Sequence, residues 1–114
     1  MVNKRRTPRS AFLALARVFD VETQTSIGYV GDISTGGIML FANRAFNREE
    51  RRLISINLPH PRKGEVIIQL GVRIAWQLKM QPSGQQLIGC QILSLDPKDR
   101  VLLLQAAKTY GLAA

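Results

Sequence analysis

The chain has 114 residues, the size of one ordinary domain. Its 46% hydrophobic content supports a real core and excludes a disordered chain. With 16 basic and 8 acidic residues it carries a net charge of +8, which favours an anionic ligand, an acidic partner or a polyanion without choosing among them.

Met1–Arg9 is polar and basic and is interrupted by Pro8. Lys4, Arg5, Arg6 and Arg9 lie in it, so a quarter of the basic residues precede the first apolar run. Nothing here can bury a face, and a flexible basic arm is expected over residues 1–9. The segment has the outline of a secretory leader, but the apolar run Ala11–Ala16 is shorter than the usual h-region of about 7–15 residues, and its alternation runs on into Val18 and Phe19. Arg5-Arg6 is followed by Thr-Pro-Arg, not by an apolar stretch as in a twin-arginine signal. No apolar run approaches the about 18 residues of a membrane span. A single cysteine, Cys90, sits in an apolar run. A buried, inert thiol is expected there, in a reducing, cytoplasmic setting.

Ser10–Asp20 alternates as a first strand, apolar on both faces, and Val21–Gln24 reads as a polar turn. Thr25–Ser34 is a second strand. Strict alternation puts Ile27, Tyr29, Gly31 and Ile33 on one face and Ser26, Gly28, Val30, Asp32 and Ser34 on the other. Gly36 and Gly37 follow, offering either a positive-φ turn or a close approach to the backbone. Ile38–Ala42 is a short strand, buried by composition. Asn43–Arg52 reads as a loop or single helical turn, with Arg44, Arg48, Arg51 and Arg52 around Glu49 and Glu50 as a solvated charge cluster.

Leu53–Leu58 alternates, and Pro59–Gly64 is turn chemistry. Glu65–Lys79 is one long strand, or two with a bend at Gly71. Val66, Ile68, Leu70, Val72, Ile74 and Trp76 share a face, which puts Trp76 in the core together with Phe41. Met80–Gln86 is a hairpin loop and Leu87–Leu95 the returning strand. The period then changes. Asp96 is a helix N-cap with Pro97 at the first position, and Leu103, Ala107 and Tyr110 recur at helical spacing beside Leu104, with Gly111 able to close the helix. Strands at this density predict a mainly β fold, a small antiparallel barrel with a C-terminal α-helix packed on it.

Catalytic constellations are missing. His60 is the one histidine, between two prolines, and reads as a solvated loop residue. There is no metal-ligand spacing, no nucleophile–base pairing and no phosphate-binding loop or dinucleotide fingerprint. The expectation is a binding protein without metal or cofactor, not an enzyme.

Two polar stretches remain. Arg5 and Arg9, three residues apart in a segment stiffened by Pro8, carry planar forks that bind phosphate or guanine O6 and N7 and can stack on a purine. Taken alone, they form a solvated basic tail. Asp32 and Ser34, two apart, place a carboxylate and a hydroxyl side by side, and a carboxylate accepts from guanine N1–H and N2–H. The local alternative is a turn in which both side chains bond their own backbone.

Arg5-x-x-x-Arg9 before a first strand, with Asp32-x-Ser34-x-x-Gly37 ending a second, resembles the PilZ-domain family. Gly37-Ile38-Met39-Leu40, Val72-Arg73-Ile74-Ala75-Trp76 and Ile88-Gly89-Cys90-Gln91-Ile92 extend the resemblance over nearly the whole chain. An aromatic is more usual where Ile92 stands. The resemblance implies a bacterial receptor of single-domain type over residues 1–114. Residues 1–9 would be the arm, 10–95 a six-stranded antiparallel barrel and 96–111 the C-terminal helix. It implies cyclic di-GMP as ligand. Arg5 and Arg9 would grip phosphate and the Hoogsteen edges of guanine, Asp32 and Ser34 would read the other edge, and Gly37 would permit the turn. Arg6 and Gly36 stand beside these, and the cation at Lys4 makes a stacked ligand pair plausible. Output would pass to an unidentified protein effector. Two other classes stay open: a small basic barrel binding single-stranded nucleic acid, and a protein–protein module with a vestigial nucleotide site.

Overall fold

The structure is a computed structural model, and it describes residues 16–34 and 36–110. Six antiparallel strands close into a barrel: β1 (Arg17–Asp20), β2 (Thr25–Ile33), β3 (Gly37–Ala42), β4 (Arg51–His60), β5 (Gly64–Lys79) and β6 (Gln86–Leu95). The order around the barrel is β1-β2-β3-β6-β5-β4. The helix α1 (Pro97–Thr109) follows β6. The expected mainly β barrel with a C-terminal helix is the architecture found.

The long strands obey their hydrophobic alternation. Ile54, Ile56 and Leu58 of β4, and Ile68, Leu70, Val72 and Ile74 of β5, point inward and are almost fully buried. The same holds for Ile38, Leu40 and Ala42 of β3. That strand is therefore buried on one face only, since Met39 and Phe41 are half-buried on the other. Gly71 does not divide β5, which runs unbroken. Pro59 and His60 belong to β4, pairing with Glu65 and Gly64, so the turn narrows to residues 61–63. His60 Nδ1 accepts from the backbone N–H groups of Arg62 (3.1 Å) and Lys63 (3.2 Å). It holds that turn; it is not a solvated loop residue.

Two expected faces are corrected, the second of them by β-bulges. The first described strand alternates instead of being apolar on both sides: Val18 and Asp20 are buried, Arg17 is exposed and Phe19 half-buried. Residues 10–15 of the expected first strand lie outside the described residues. In β2 the register shifts twice. Val18 pairs with Gly28 but Phe19 with Ser26, and Val30 pairs with Leu40 but Asp32 with Met39. The extra residues are Ile27 and Gly31. Val30 thus points inward, fully buried, while Tyr29 is 39% exposed. Beyond Gly31 the phase reverses, so Asp32 faces outward with Met39 and Ile33 inward with Ile38. A strict period of two had put Asp32 on the face of Val30.

The helix begins as its sequence indicates, with the Asp96 carboxylate accepting from Lys98 N–H at 2.9 Å and Pro97 in the first turn. Leu103, Ala106 and Ala107 join the apolar cluster formed by the strand interiors, and Tyr110 packs against it. Leu104, expected beside them, is 41% exposed, its place taken by Ala106. The C-cap is Tyr110, and Gly111 lies outside the described residues.

Among the described residues one charged side chain is fully buried, Asp20 at the end of β1. Its Oδ1 accepts from the backbone N–H groups of Glu22 (2.9 Å) and Thr23 (3.1 Å). Its Oδ2 accepts from Arg52 Nε (2.9 Å), Arg52 Nη2 and Arg44 Nη2 (3.4 Å). Arg52 also reaches Glu50 at 3.3 Å and Glu22 at 3.6 Å. The solvated cluster expected over residues 44–52 is thus only partly found: Arg52 and Glu50 are half-buried and paired, whereas Arg48, Glu49 and Arg51 are exposed. Asp20 draws the loop before β4 onto the β1–β2 turn. Burial by itself raises the Asp20 pKa, but the Arg52 hydrogen bonds, the two backbone N–H groups and the Arg52 charge outweigh it, and the carboxyl is held below its ordinary value.

A carboxyl whose pKa is depressed on folding contributes stability that is present above the ordinary carboxylate range and lost as pH falls through its folded value. Urea denaturation at neutral pH should show Asp20→Asn less stable by about 3 kcal/mol, because Arg52 loses its buried partner. The loss of stability on acidification should be shallower in that variant. Unchanged stability would contradict this role for Asp20.

Candidate functional site

The outward faces of four neighbouring strands carry one cross-strand row. Asp32 of β2 pairs with Met39 of β3, Met39 with Gly89 of β6, and Gly89 with Trp76 of β5. At about 4.8 Å per strand the row spans about 14 Å, with a carboxylate at one end and an indole at the other. A cleft of about 340 Å³ lies along it, lined by Asp32, Ser34, Gly37, Trp76, Gly89 and Gln91 among others.

Trp76 reaches this face through one of two register shifts between β5 and β6. Ile74 pairs with Cys90 and Trp76 with Gly89, which leaves Ala75 as the extra residue. The expectation of a core tryptophan is thereby overturned: Trp76 is 49% exposed. Its ring lies flat on Gly89, where an added Cβ would fall 2.2 Å from the indole Cε2 and Nε1. A glycine opposite an aromatic in a sheet is the sign that could have found this seat from the sequence. Phe41, also expected in the core, is half-buried and lies with Met39 over Gly31.

The other wall is the β2–β3 connection. Ser34 N–H donates to the Gly37 carbonyl at 3.0 Å, and Ser34 Oγ donates to the same oxygen at 3.3 Å. The local turn considered from sequence is thus realised by Ser34. Its hydroxyl oxygen keeps acceptor capacity toward the cleft. The Gly36 carbonyl accepts from Ile92 N–H at 3.1 Å, which lays the connection against β6. Neither Gly36 nor Gly37 has a positive φ, so a left-handed turn is not what these glycines supply. Gly37 is required for a different reason: a Cβ there would sit 2.9 Å from the Cys90 carbonyl oxygen. At Gly36 a Cβ would meet nothing within 4 Å.

Cys90 contributes to the floor. It is 4% exposed, and burial pushes its thiol up to about 12. At neutral pH it is a small apolar group. Gln91 is held by Arg73, whose Nε donates to its Oε1 at 2.9 Å.

The cleft therefore brings together Asp32, Ser34 and Gly37. Gly36 stands beside it without lining it. Lys4, Arg5, Arg6 and Arg9 lie outside the described residues. Among the described residues no cluster of His, Cys, Asp and Glu is placed to hold a metal, and no helix is long and apolar enough to cross a membrane.

A family model described as PilZ domain matches residues 3–108 of the chain. Among solved structures, that of the Bacillus subtilis inhibitor of motility (MotI/DgrA) is similar, with a TM-score of 0.70 and 19% identity over 97% of this chain and 52% of the other. The chain spans about half the length of that protein, and the likeness is one of fold. No curated protein matches the chain.

Replacing Gly89 with Ala should lift the indole from its seat, shifting the emission of the sole tryptophan and costing roughly 1–3 kcal/mol. Gly36→Ala should stay within about 0.5 kcal/mol of wild type. Equal stability of the two variants would contradict the seat. The Cys90 thiol should resist alkylation at pH 8 in the folded protein and react in urea; rapid labelling without urea would show that it is not buried.

Proposed function

The chain belongs to the PilZ domain family, a family of cyclic di-GMP receptors, and on that premise we propose that it is a cyclic di-GMP receptor and adaptor. In this reading Arg5 and Arg9 bind phosphate and the Hoogsteen edge of guanine. Asp32 and Ser34 bind the opposite edge, and Gly37 lets β3 lie close against β6 to form the wall. Lys4 and Arg6 add positive charge at the same place. The arm orders over the ligand, and the covered surface is what a protein effector recognises. The inhibitor of motility is a protein of similar fold, which makes a motility component one class of effector to test.

The observation that carries this reading is the outward row itself. A carboxylate that can accept from guanine and an aromatic face that can stack on it lie on one wall of a rigid barrel, in a protein of charge +8. The ligand is dianionic and the wall carries an acid, so its cations must come from elsewhere in the chain. The arginines before β1 supply them. Ordering the arm costs about 1–2 kcal/mol of backbone entropy per residue. Charge-assisted bonds and stacking offset that cost, and micromolar binding leaves a net of about −8 kcal/mol. The exposed indole also suits a single-stranded nucleic acid, but a carboxylate in the same cleft repels a continuous phosphate backbone.

Calorimetric titration tests the proposal. Cyclic di-GMP should bind, an unrelated oligonucleotide should bind much more weakly, and Arg9→Ala and Asp32→Ala should each lose the dinucleotide while keeping the wild-type far-UV spectrum. Absence of binding by the wild type, or equal affinity for the oligonucleotide, would refute it.

A further inference from the structure

The loop between β3 and β4 holds an arginine whose surroundings single it out. The backbone on either side of Arg48 is fastened to β5. Ahead of it, Phe46 N–H donates to Gln77 Oε1 at 3.0 Å, and Gln77 Nε2 donates back to the Phe46 carbonyl. Behind it, Glu49 N–H donates to the Ile74 carbonyl at 3.1 Å, and Ile74 N–H donates to the Glu50 carbonyl at 2.8 Å. Arg48 is thus carried across Ile74–Gln77, the segment that contains the Ala75 bulge and Trp76.

The neighbouring acids are engaged by other arginines. Glu49 pairs with Arg73 at 2.5 Å and Glu50 with Arg52 at 3.3 Å. Arg44 reaches Asp20 and lies over the Phe46 ring, 4.0 Å from its centroid. Among the described residues Arg48 makes no hydrogen bond or ion pair. Its side chain lines a second cleft of about 310 Å³ with Ile74, Ala75, Trp76 and Gln77. Ala75 and Trp76 also line the cleft of Asp32 and Ser34. The two clefts therefore meet at the indole.

We propose that the ligand site continues past Trp76, and that Arg48 holds a phosphate of the guanine dinucleotide whose base stacks on that indole. The inference rests on the function proposed above and adds to it a cation from the barrel side. A guanidinium on an immobilised loop, with no competing carboxylate, is prepared to donate paired hydrogen bonds to a phosphate without first ordering a chain segment. In the function proposed above the arm arginines bear that ordering cost, and Arg48 does not.

The test is titration of the full chain with cyclic di-GMP, followed by calorimetry and by quenching of the emission of the sole tryptophan. Arg48→Ala should weaken binding about tenfold, the loss of one charge-assisted contact. Quenching at saturation should persist, because the stacking face is intact. Arg48→Lys should recover part of the affinity. Arg62→Ala removes the same charge beyond the far end of β4, about 30 Å along the strand, and should stay within about twofold of wild type. Wild-type affinity in Arg48→Ala, with binding lost in Asp32→Ala, would overturn this inference and leave the receptor reading standing. An equal loss in Arg62→Ala would also overturn it, by showing a general charge effect. A wild type that binds no dinucleotide would overturn both.

Discussion

Two extra residues, Gly31 in β2 and Ala75 in β5, determine which way the chemistry of this barrel faces. In an unbroken strand, Asp32 would share the inward phase of Val30 and Trp76 that of Ile74. An unpaired carboxylate in the interior would be costly and an indole would overfill a core built from Ile, Leu and Val. Each bulge adds one residue, reverses the phase and turns one side chain, Asp32 or Trp76, outward. The two bulges flank the same pair of central strands, so the outcome is a single row with an acid and an aromatic at its ends. β6 supplies the floor with three consecutive residues. Gly89 seats the indole, the Cys90 carbonyl meets Gly37, and Gln91 is fixed by Arg73.

The charges divide by the same logic. Asp20 absorbs Arg52 and Arg44 in a partly buried network that fastens the 43–50 loop to the β1–β2 turn, and Glu49 absorbs Arg73. Those arginines are structural. Among the described residues their pairing leaves Arg48 beside the indole without a carboxylate partner. The net charge of +8 does not mark a uniformly basic surface. Part of the basic complement, Arg44, Arg52 and Arg73, is committed to shape.

The sequence was most legible where alternation ran unbroken. The inward faces of β4 and β5, the Asp96 cap and the helix that follows it all read directly from residue order, because burial imposes a period of two on a strand and near 3.6 on a helix. The resemblance to the PilZ family, not spacing by itself, paired Asp32, Ser34 and Gly37 with the arginine segment, and those three residues do line one cleft. Bulges were not legible. They leave composition unchanged and reveal themselves only through the register of the partner strand, which is why the faces of β2 and the exposure of Trp76 were misjudged. Asp20 escaped notice for a related reason: its partners are 24 and 32 positions away, and nothing local marks a carboxylate that a distant arginine will enclose.

The central claim is spatial: the arginine segment and the outward row hold the same ligand from opposite sides. An experimental structure of the chain bound to cyclic di-GMP tests it most directly. The account predicts one guanine against the Asp32–Trp76 row, with the Arg9 guanidinium within about 3 Å of its Hoogsteen edge or of the adjoining phosphate. Ligand bound elsewhere on the barrel, or Arg9 on the side away from Asp32 with ligand present, would contradict it.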